Sequence, residues 1–248
     1  EEDDGANGMF LYYSHYWGRF FCAFAGGTGG IHTGNLYMST DLGRSWTISD
    51  HIPHRMYLLH DGMDESPTGV LYYGNYGDSS ISDDGEYLKD YSYIRRSTDG
   101  GLTWVTETGI YAHHIHSVEV SHDGKIFASY GDDFKPPYTA GVMVKDGGVW
   151  KNVTWDSISR SLAYGIESIG DYTFFGSDLP SCPTIMRYDG AIHEPSLTVQ
   201  NLESVLPFND YCYEIESSDG VIYAVTFGNM EKFWHGKWSI WASSDFGT

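Results

Sequence analysis

The sequence predicts an all-β protein, a β-propeller of four-stranded antiparallel blades, from three observations. The 248-residue chain is 16% aromatic and holds 30 glycines, a mixture expected of strands separated by tight turns. The octet STDLGRSW at 39–46 returns as STDGGLTW at 97–104, with five identical positions. A Gly turn, an apolar strand and a Gly-acid or Gly-Asn loop also recur between such octets. A period of roughly 40–50 residues made of short strands is typical of propeller blades.

Aspartates at comparable positions then divide the chain into units, with spacings of 58, 47, 43 and 56 residues. Each unit is predicted to contain strand A, an Asp-Gly turn, strand B, a Gly-acid loop, strand C, the octet turn and strand D. One domain, 1–248, would then hold about five blades: 9–50, 51–108, 109–156, 157–201 and 202–248. The last blade lacks strand D, which indicates either a fragment of a larger ring or a chain whose end is not ordered.

The octet has a physical reason to recur at the turn between strands C and D. Its aspartate accepts backbone N–H bonds, and its glycine adopts a backbone angle that other residues resist. Its Ser or Thr adds a local hydrogen bond, and its Trp is expected to pack under the hairpin. We therefore interpret Asp41 and Asp99 as structural residues.

Both octets match the Asp-box pattern S-x-D-x-G-x-[ST]-W of the bacterial neuraminidase repeat. The chain thus resembles the sialidase-type β-propeller superfamily over almost its whole length. The resemblance implies the propeller fold and says little about chemistry. That superfamily includes sialidases, xyloglucan hydrolases, sorting receptors, photosystem assembly factors and non-catalytic proteins.

Composition narrows the classes of partner. The formal charge is −20, and nucleic acids and anionic lipids both require a basic surface, so neither is expected to bind. No run of about 18 apolar residues is present, so no membrane span is predicted. The first residue is Glu1, which indicates a removed leader or a fragment. Three cysteines allow at most one disulfide. We expect an extracellular protein or one on a cell or virion surface.

Strand directions in a propeller predict which side chains meet. The octet turns belong to one face, whereas the B–C loops and the D–A connections belong to the opposite face, where ligands usually enter. The connections are rich in His and Arg, and the B–C loops end in acids. The predicted catalytic residues are His114, His116, Arg160 and Tyr164. The predicted ligand-binding residues are Arg55, Asp78, Asp132, Asp178 and Tyr211.

The segment His114-Ile115-His116 allows three interpretations. Residues two apart on a strand point to the same side, so both imidazoles share one face. They could chelate a transition metal with Asp132 or Asp178, or act as a general base and its neighbour. They could equally form hydrogen bonds in a wet channel. The metal and the cofactor are left unassigned.

Several functions fit such a face. A sialidase needs three arginines, usually beginning in an R-I-P motif, and HIPHR at 51–55 departs from that motif. The sequence favours a secreted or surface-exposed carbohydrate-interacting propeller. One alternative is a lyase or glycoside hydrolase acting on an acidic glycan, and another is a non-catalytic adhesion or structural module of a surface or viral fibre. Whether the chain is an enzyme, which glycan it binds, its total number of blades and its oligomeric state are left open.

Overall fold

The computed structural model shows an all-β chain. The structure describes residues 7–25, 34–52, 58, 61–76, 91–111, 114–131, 141–153, 163–177, 185–188, 210–228 and 237–244. Within these residues all regular secondary structure is β-strand, and the strands form five separate sheets. The absence of helix from the described part of the chain agrees with the prediction.

The five sheets follow one another along the chain, and neighbouring strands in each sheet are consecutive in sequence. The first sheet contains β1 (Asn7–Ser14), β2 (Arg19–Ala25), β3 (Asn35–Ser39) and β4 (Thr47–His51). The second contains β5 (Met63–Glu65), β6 (Leu71–Gly74), β7 (Tyr91–Ser97) and β8 (Val105–Tyr111). The third contains β9 (Ile115–Val120), β10 (Ile126–Tyr130), β11 (Gly141–Asp146) and β12 (Val149–Val153). The fourth contains β13 (Ala163–Ile169), β14 (Tyr172–Ser177) and β15 (Ile185–Tyr188), and the fifth contains β16 (Asp210–Ser218), β17 (Val221–Gly228) and β18 (Lys237–Ser243).

The chain divides into two compact units, and the boundary falls within β9. The first unit comprises Glu1–Val118 with Gly131–Thr139, and the second comprises Glu119–Tyr130 with Ala140–Thr248. The first unit contains the first two sheets and the start of β9. The division into blades within one domain stays a prediction.

The core of the first unit lies between its two sheets. Its buried side chains are Phe10, Phe21, Ala23, Leu36, Met38, Ile52, Leu58, Met63, Leu71, Tyr73 and Trp104. Along β3 they alternate with more exposed residues, because successive side chains of a strand point to opposite faces. Burial of this apolar surface is the main stabilising contribution to the unit.

One hydrophobic core cluster of the second unit is formed by β14, β16 and β17. Phe174, Cys212, Ile215, Ile222 and Ala224 are buried together there. A polar contact joins the same sheets, since the hydroxyl of Ser217 donates to a carboxylate oxygen of Glu167. Cys22 and Cys212 are both buried free thiols. Burial raises the pKa of Cys22 to about 11, so this thiol is not a reactive nucleophile at neutral pH.

The two octets form the same turn, as predicted, between the third and fourth strands of their sheets. In the first octet the Ser39 hydroxyl donates to Asp41 Oδ1 (2.8 Å), and Asp41 Oδ1 also accepts the Ser45 N–H (2.8 Å). The second octet repeats both bonds: Asp99 Oδ1 accepts the Ser97 hydroxyl (2.8 Å) and the Thr103 backbone N–H (2.9 Å). The aspartate therefore fixes the turn in both copies.

The octets differ at the residue between Asp and Gly. Leu42 adopts a φ of 63°, and Gly100 adopts a φ of 72° at the equivalent position. Leu42 is 73% exposed, so its side chain projects into solvent. A Cβ added to Gly100 would lie 2.5 Å from Arg19 Nη1 and 2.6 Å from Trp17 Cδ2. The second octet is therefore docked against the first sheet and requires glycine for close approach as well as for its backbone angle.

The two octet tryptophans differ in burial, although the sequence predicts the same packing under the hairpin for both. Trp104 is 9% exposed and belongs to the core of the first unit. Trp46 is 38% exposed, and its indole N–H donates to the carbonyl of Gly43 at 3.1 Å within its own turn. The first octet is thus held by bonds within its own turn, whereas the second also anchors two sheets.

The octet aspartates give a prediction for acid stability. Hydrogen bonds, first from the Ser45 side chain, lower the pKa of Asp41 to about 2. Burial raises the pKa of Asp99, but hydrogen bonds from Thr103 and Ser97 outweigh it and hold that pKa at about 2. Since both folded pKa values lie below the ordinary 3.8, the stabilisation is complete above that value and is lost as pH falls towards 2.

We expect Asp99→Asn to be less stable than wild type at pH 5 and to lose less stability between about pH 5 and pH 2. Denaturant titrations of both proteins across that range measure the difference. Parallel curves for wild type and variant would contradict the role assigned to the carboxylate.

Candidate functional site

Two buried histidines at the start of β9 form the centre of the candidate site. His114 immediately precedes β9 and His116 is its second residue. Their Nε2 atoms are 2.8 Å apart, and the side chains are 4% and 0% exposed. The prediction that both imidazoles share one side is confirmed. Both rings are buried, and their hydrogen bonding in a channel stays a prediction.

The backbone around the two histidines is held on both sides. The Gly131 N–H donates to the His114 carbonyl at 2.9 Å, and the Ile115 N–H donates to the Asn75 carbonyl at 3.0 Å. The Asn75 side chain in turn accepts the Tyr93 N–H at 2.5 Å. The loop after β6 and the start of β9 are therefore tied together.

Gly74 explains how these two segments come so close. A Cβ on Gly74 would lie 2.4 Å from Cγ2 of Ile115, which is the residue between the two histidines. Only glycine leaves room for that approach. A larger residue at this position would push β9 away and separate the histidines from the loop that follows β6.

Tyr76 completes the cluster, and the sequence analysis did not single it out. Its ring centroid lies 4.1 Å from that of His114 and 5.9 Å from that of His116. Tyr76 is half-buried, so it is the part of the cluster that solvent reaches. The available signal was its place in GNYGD, the same Gly-acid loop from which Asp78 was chosen. We call Tyr76, His114 and His116 the His-Tyr cluster.

The distance between the two Nε2 atoms corresponds to a direct hydrogen bond between the rings. A hydrogen bond at 2.8 Å needs one ring to donate and the other to accept, so one Nε2 carries a proton and the other does not. A pair with protons on both Nε2 atoms would place two donors in contact.

The other predicted site residues are not brought to the cluster by the described structure. Arg55, Asp78, Asp132, Arg160 and Asp178 lie outside the described residues. Their predicted roles stay predictions.

The two predicted tyrosines belong to the second unit. Tyr164 is buried in β13, where its carbonyl accepts the Ser129 hydroxyl at 3.1 Å. Tyr211 lies in β16 and pairs with Phe227 of β17. Within the described ranges no group of three His, Cys, Asp or Glu side chains converges as a metal site would require.

A second polar cluster in the first unit was also missed. Asp50 forms a salt bridge with Arg95, at 2.9 Å from Nη2 to Oδ2, and both side chains are mostly buried. Asp50 also accepts the Tyr73 hydroxyl at 2.7 Å. Burial, and then the Asp50 charge, raises the pKa of Tyr73 well above its ordinary value. Since both charged side chains are mostly buried and Tyr73 belongs to the core of the first unit, we interpret this cluster as structural.

The sheets define the class of protein. Five antiparallel sheets of three or four strands in chain order, with octet hairpins between the third and fourth strands of the first two sheets, are the blades of a β-propeller. In the described part of the chain, no helix has the length and apolarity needed to cross a bilayer.

Comparison with solved structures agrees with that class. No protein-family model matches the sequence. No curated protein is significantly similar to it. The fold is similar to an ancestral GH74 enzyme, with a TM-score of 0.59 and 19% identity over 98% of this chain and 31% of that one.

Two further folds are similar over most of this chain. A chain of a nidogen/laminin complex gives a TM-score of 0.55 and 9% identity over 90% of this chain and 75% of that one. TolB from Acinetobacter baumannii gives a TM-score of 0.53 and 16% identity over 86% of this chain and 47% of that one. This chain therefore spans under half the length of TolB and under a third of the GH74 enzyme. At these identities the comparisons establish the fold alone.

Proposed function

We propose that the chain is a carbohydrate-binding part of a β-propeller and that Tyr76 contacts the glycan. The observation that carries the proposal is the half-buried Tyr76 ring lying against two buried imidazoles. Aromatic rings bind the apolar faces of sugars by stacking, and a ring held from behind loses little freedom on binding. The histidines thus orient the contact residue.

Burial favours binding over catalysis at this cluster. A general base must come within hydrogen-bond reach of the proton it removes, and His116 is fully buried next to Tyr76. The proposed role of the histidines is therefore positional. This refines their predicted catalytic role, which stays an alternative.

The enzyme alternatives depend on other residues. A lyase acting on an acidic glycan would use Arg55 or Arg160 for the carboxylate, His114 or His116 as base, and Tyr164 or Tyr211 as acid. A glycoside hydrolase would need two carboxylates across the site, from Asp78, Asp132 and Asp178.

Two further points support a carbohydrate-related role. The octets resemble Asp-boxes, which are found in glycan-active propellers, and one similar fold is that of a GH74 enzyme. A secreted or surface location is part of the same proposal. A non-catalytic adhesion module would use the same face for a protein partner. The nidogen/laminin similarity keeps that alternative open.

Substitution of Tyr76 tests the proposal. We expect Tyr76→Ala to weaken binding to the best ligand in a screen of uronate-rich and sialylated glycans by at least about tenfold, equivalent to ~1.4 kcal/mol. The melting temperature should change little, since Tyr76 is outside the buried core of the first unit.

A matched control is Tyr16→Ala, which removes an exposed tyrosine from the same unit. Its glycan affinity should equal that of wild type. Equal affinity in the Tyr76 variant, or no glycan bound by wild type, would reject the proposal. Release of unsaturated sugar products during the screen would instead support the lyase alternative.

A further inference from the structure

We propose that the chain associates head-to-tail with a second copy of itself, with the first octet of one copy docked on the fifth sheet of the other. The contact between the second octet and the first sheet is the precedent for this association. The first octet forms the same turn, yet its Leu42 and Trp46 side chains are 73% and 38% exposed. We call Leu42 and Trp46 the docking surface. The inference is independent of glycan binding.

The precedent is a sheet face that receives the next octet. Trp104 of the second octet packs edge-on against Phe21 of β2, with ring centroids 6.4 Å apart. A Cβ added to Gly101 would lie 2.4 Å from Cε1 of the same Phe21 ring. Phe21 of β2 and Leu36 of β3 are both 0% exposed. The second and third strands of the first sheet therefore supply part of the apolar surface that is buried between the two sheets.

The fifth sheet repeats the strand register of that receiving face. The register is counted from Ser39, which ends β3 and opens the first octet, and from Ser243, which ends β18 and opens SSDFGT. In the first sheet the cross-strand pairs just before the serine are Phe21–Met38 and Ala23–Leu36. In the fifth sheet the pairs at the same two positions are Tyr223–Ala242 and Val225–Ile240. Tyr223 thus takes the place of Phe21 in the register.

The apolar positions of the fifth sheet are open to solvent. Ile240 takes the place of Leu36 and is 74% exposed, and Tyr223 is 38% exposed. The opposite face of this sheet packs with Phe174 of β14 in the buried cluster of the second unit. Successive residues of a strand alternate between its faces, so Val225 lies on the same face as Tyr223. We call Tyr223, Val225 and Ile240 the receiving surface.

A difference between two hairpin turns explains why the first octet can carry Leu42 where the second carries Gly100. In the second octet, a Cβ on Gly100 would lie 2.6 Å from Cδ2 of Trp17, in the turn between β1 and β2. That turn comprises residues 15–18, whereas the turn between β16 and β17 comprises residues 219–220 alone. The shorter turn holds no aromatic residue, so it leaves space for the Leu42 side chain in the proposed contact.

The chemistry of the two surfaces favours a weak contact. Both surfaces are mainly apolar, so their association removes apolar area from water. The surface used on one copy differs from the surface used on its partner, which makes the contact heterologous. One octet on one sheet face is a small interface, so we expect a dissociation constant on the order of 10–100 µM. Each chain carries a formal charge of −20, so added salt should strengthen association by screening the repulsion between copies.

Sedimentation equilibrium of the wild-type chain tests the proposal, at protein concentrations from about 1 to about 300 µM, which span the expected dissociation constant. We expect the average mass to rise above that of one chain, and to rise further when NaCl is added. Leu42→Asn and Ile240→Asn should each weaken association at least about tenfold. Asn readily adopts the left-handed backbone angle of Leu42, so the first of these variants keeps the turn.

Leu102→Asn is the matched control, because it makes the same change at a 60% exposed position of the second octet, outside the docking surface. It should associate as wild type does. An equimolar mixture of the Leu42→Asn and Ile240→Asn proteins should associate more strongly than either protein alone. The mixture restores one intact docking surface opposite one intact receiving surface, and a misfolded variant could not produce that result.

Three outcomes would overturn the proposal. The first is a mass of one chain at every concentration and salt, which requires no variant. The second is an association that neither Leu42→Asn nor Ile240→Asn weakens, or that Leu102→Asn weakens equally. The third is a mixture that associates no more strongly than its separate components, because the contact would then not be head-to-tail.

Discussion

Trp104→Ala is expected to lower the free energy of unfolding by about 3–5 kcal/mol, the range for a buried large aromatic residue. The Trp104 ring packs edge-on against Tyr73 at 4.9 Å and against Phe21 at 6.4 Å between centroids. Its indole N–H donates to the Ser49 hydroxyl at 2.9 Å. The substitution removes all three contacts and leaves a cavity between two sheets. Denaturant titration measures the change.

Trp46→Ala is the matched control, because it changes the same octet position in the other copy. Its exposed ring makes one hydrogen bond within its own turn, so we expect a cost of about 1 kcal/mol or less. Equal costs for the two variants would contradict the distinction between a docked and an undocked octet.

Arg95→Ala is expected to cost about 3–5 kcal/mol, because it leaves the mostly buried Asp50 carboxylate without its counter-charge. Arg95 donates to Asp50 through Nε at 3.0 Å and through Nη2 at 2.9 Å. The Tyr73 hydroxyl would remain as a neutral donor, which does not balance a buried charge.

A double-mutant cycle gives the decisive measurement. The variant with both Arg95→Ala and Asp50→Ala should be less destabilised than the sum of the single variants, because no unpaired charge is left. Strict additivity of the two single changes would indicate that the pair is solvated and would contradict the structural role.

The octets show which features of this fold can be predicted from the sequence. Their turns depend on hydrogen bonds between residues two to four positions apart, and such bonds can be predicted from the motif. The contrast between Trp46 and Trp104 could not be predicted, because it depends on which neighbouring sheet each octet meets. That information is not local in the sequence.

The same distinction applies to the candidate site. His114 and His116 were predicted to share a side from strand alternation, which is a local rule. Their burial and their contact with Tyr76 depend on the approach of the loop after β6. That approach could not be predicted from the presence of a glycine at position 74. The Asp50–Arg95 pair spans 45 residues and follows from packing of two sheets.

The difference between Leu42 and Gly100 bears on how loop flexibility is inferred from the sequence of a repeat. Asp-Gly-Gly suggests the looser of the two loops by composition, yet its glycines are the ones wedged against Trp17 and Phe21. Residue types alone would predict that the Leu-containing octet is the more rigid one. Its Leu42 side chain is nevertheless exposed to solvent. The residue found at a variable position of a repeated motif thus depends on what surrounds each copy. In the second octet, glycine is present because space is restricted, and not because the loop is flexible.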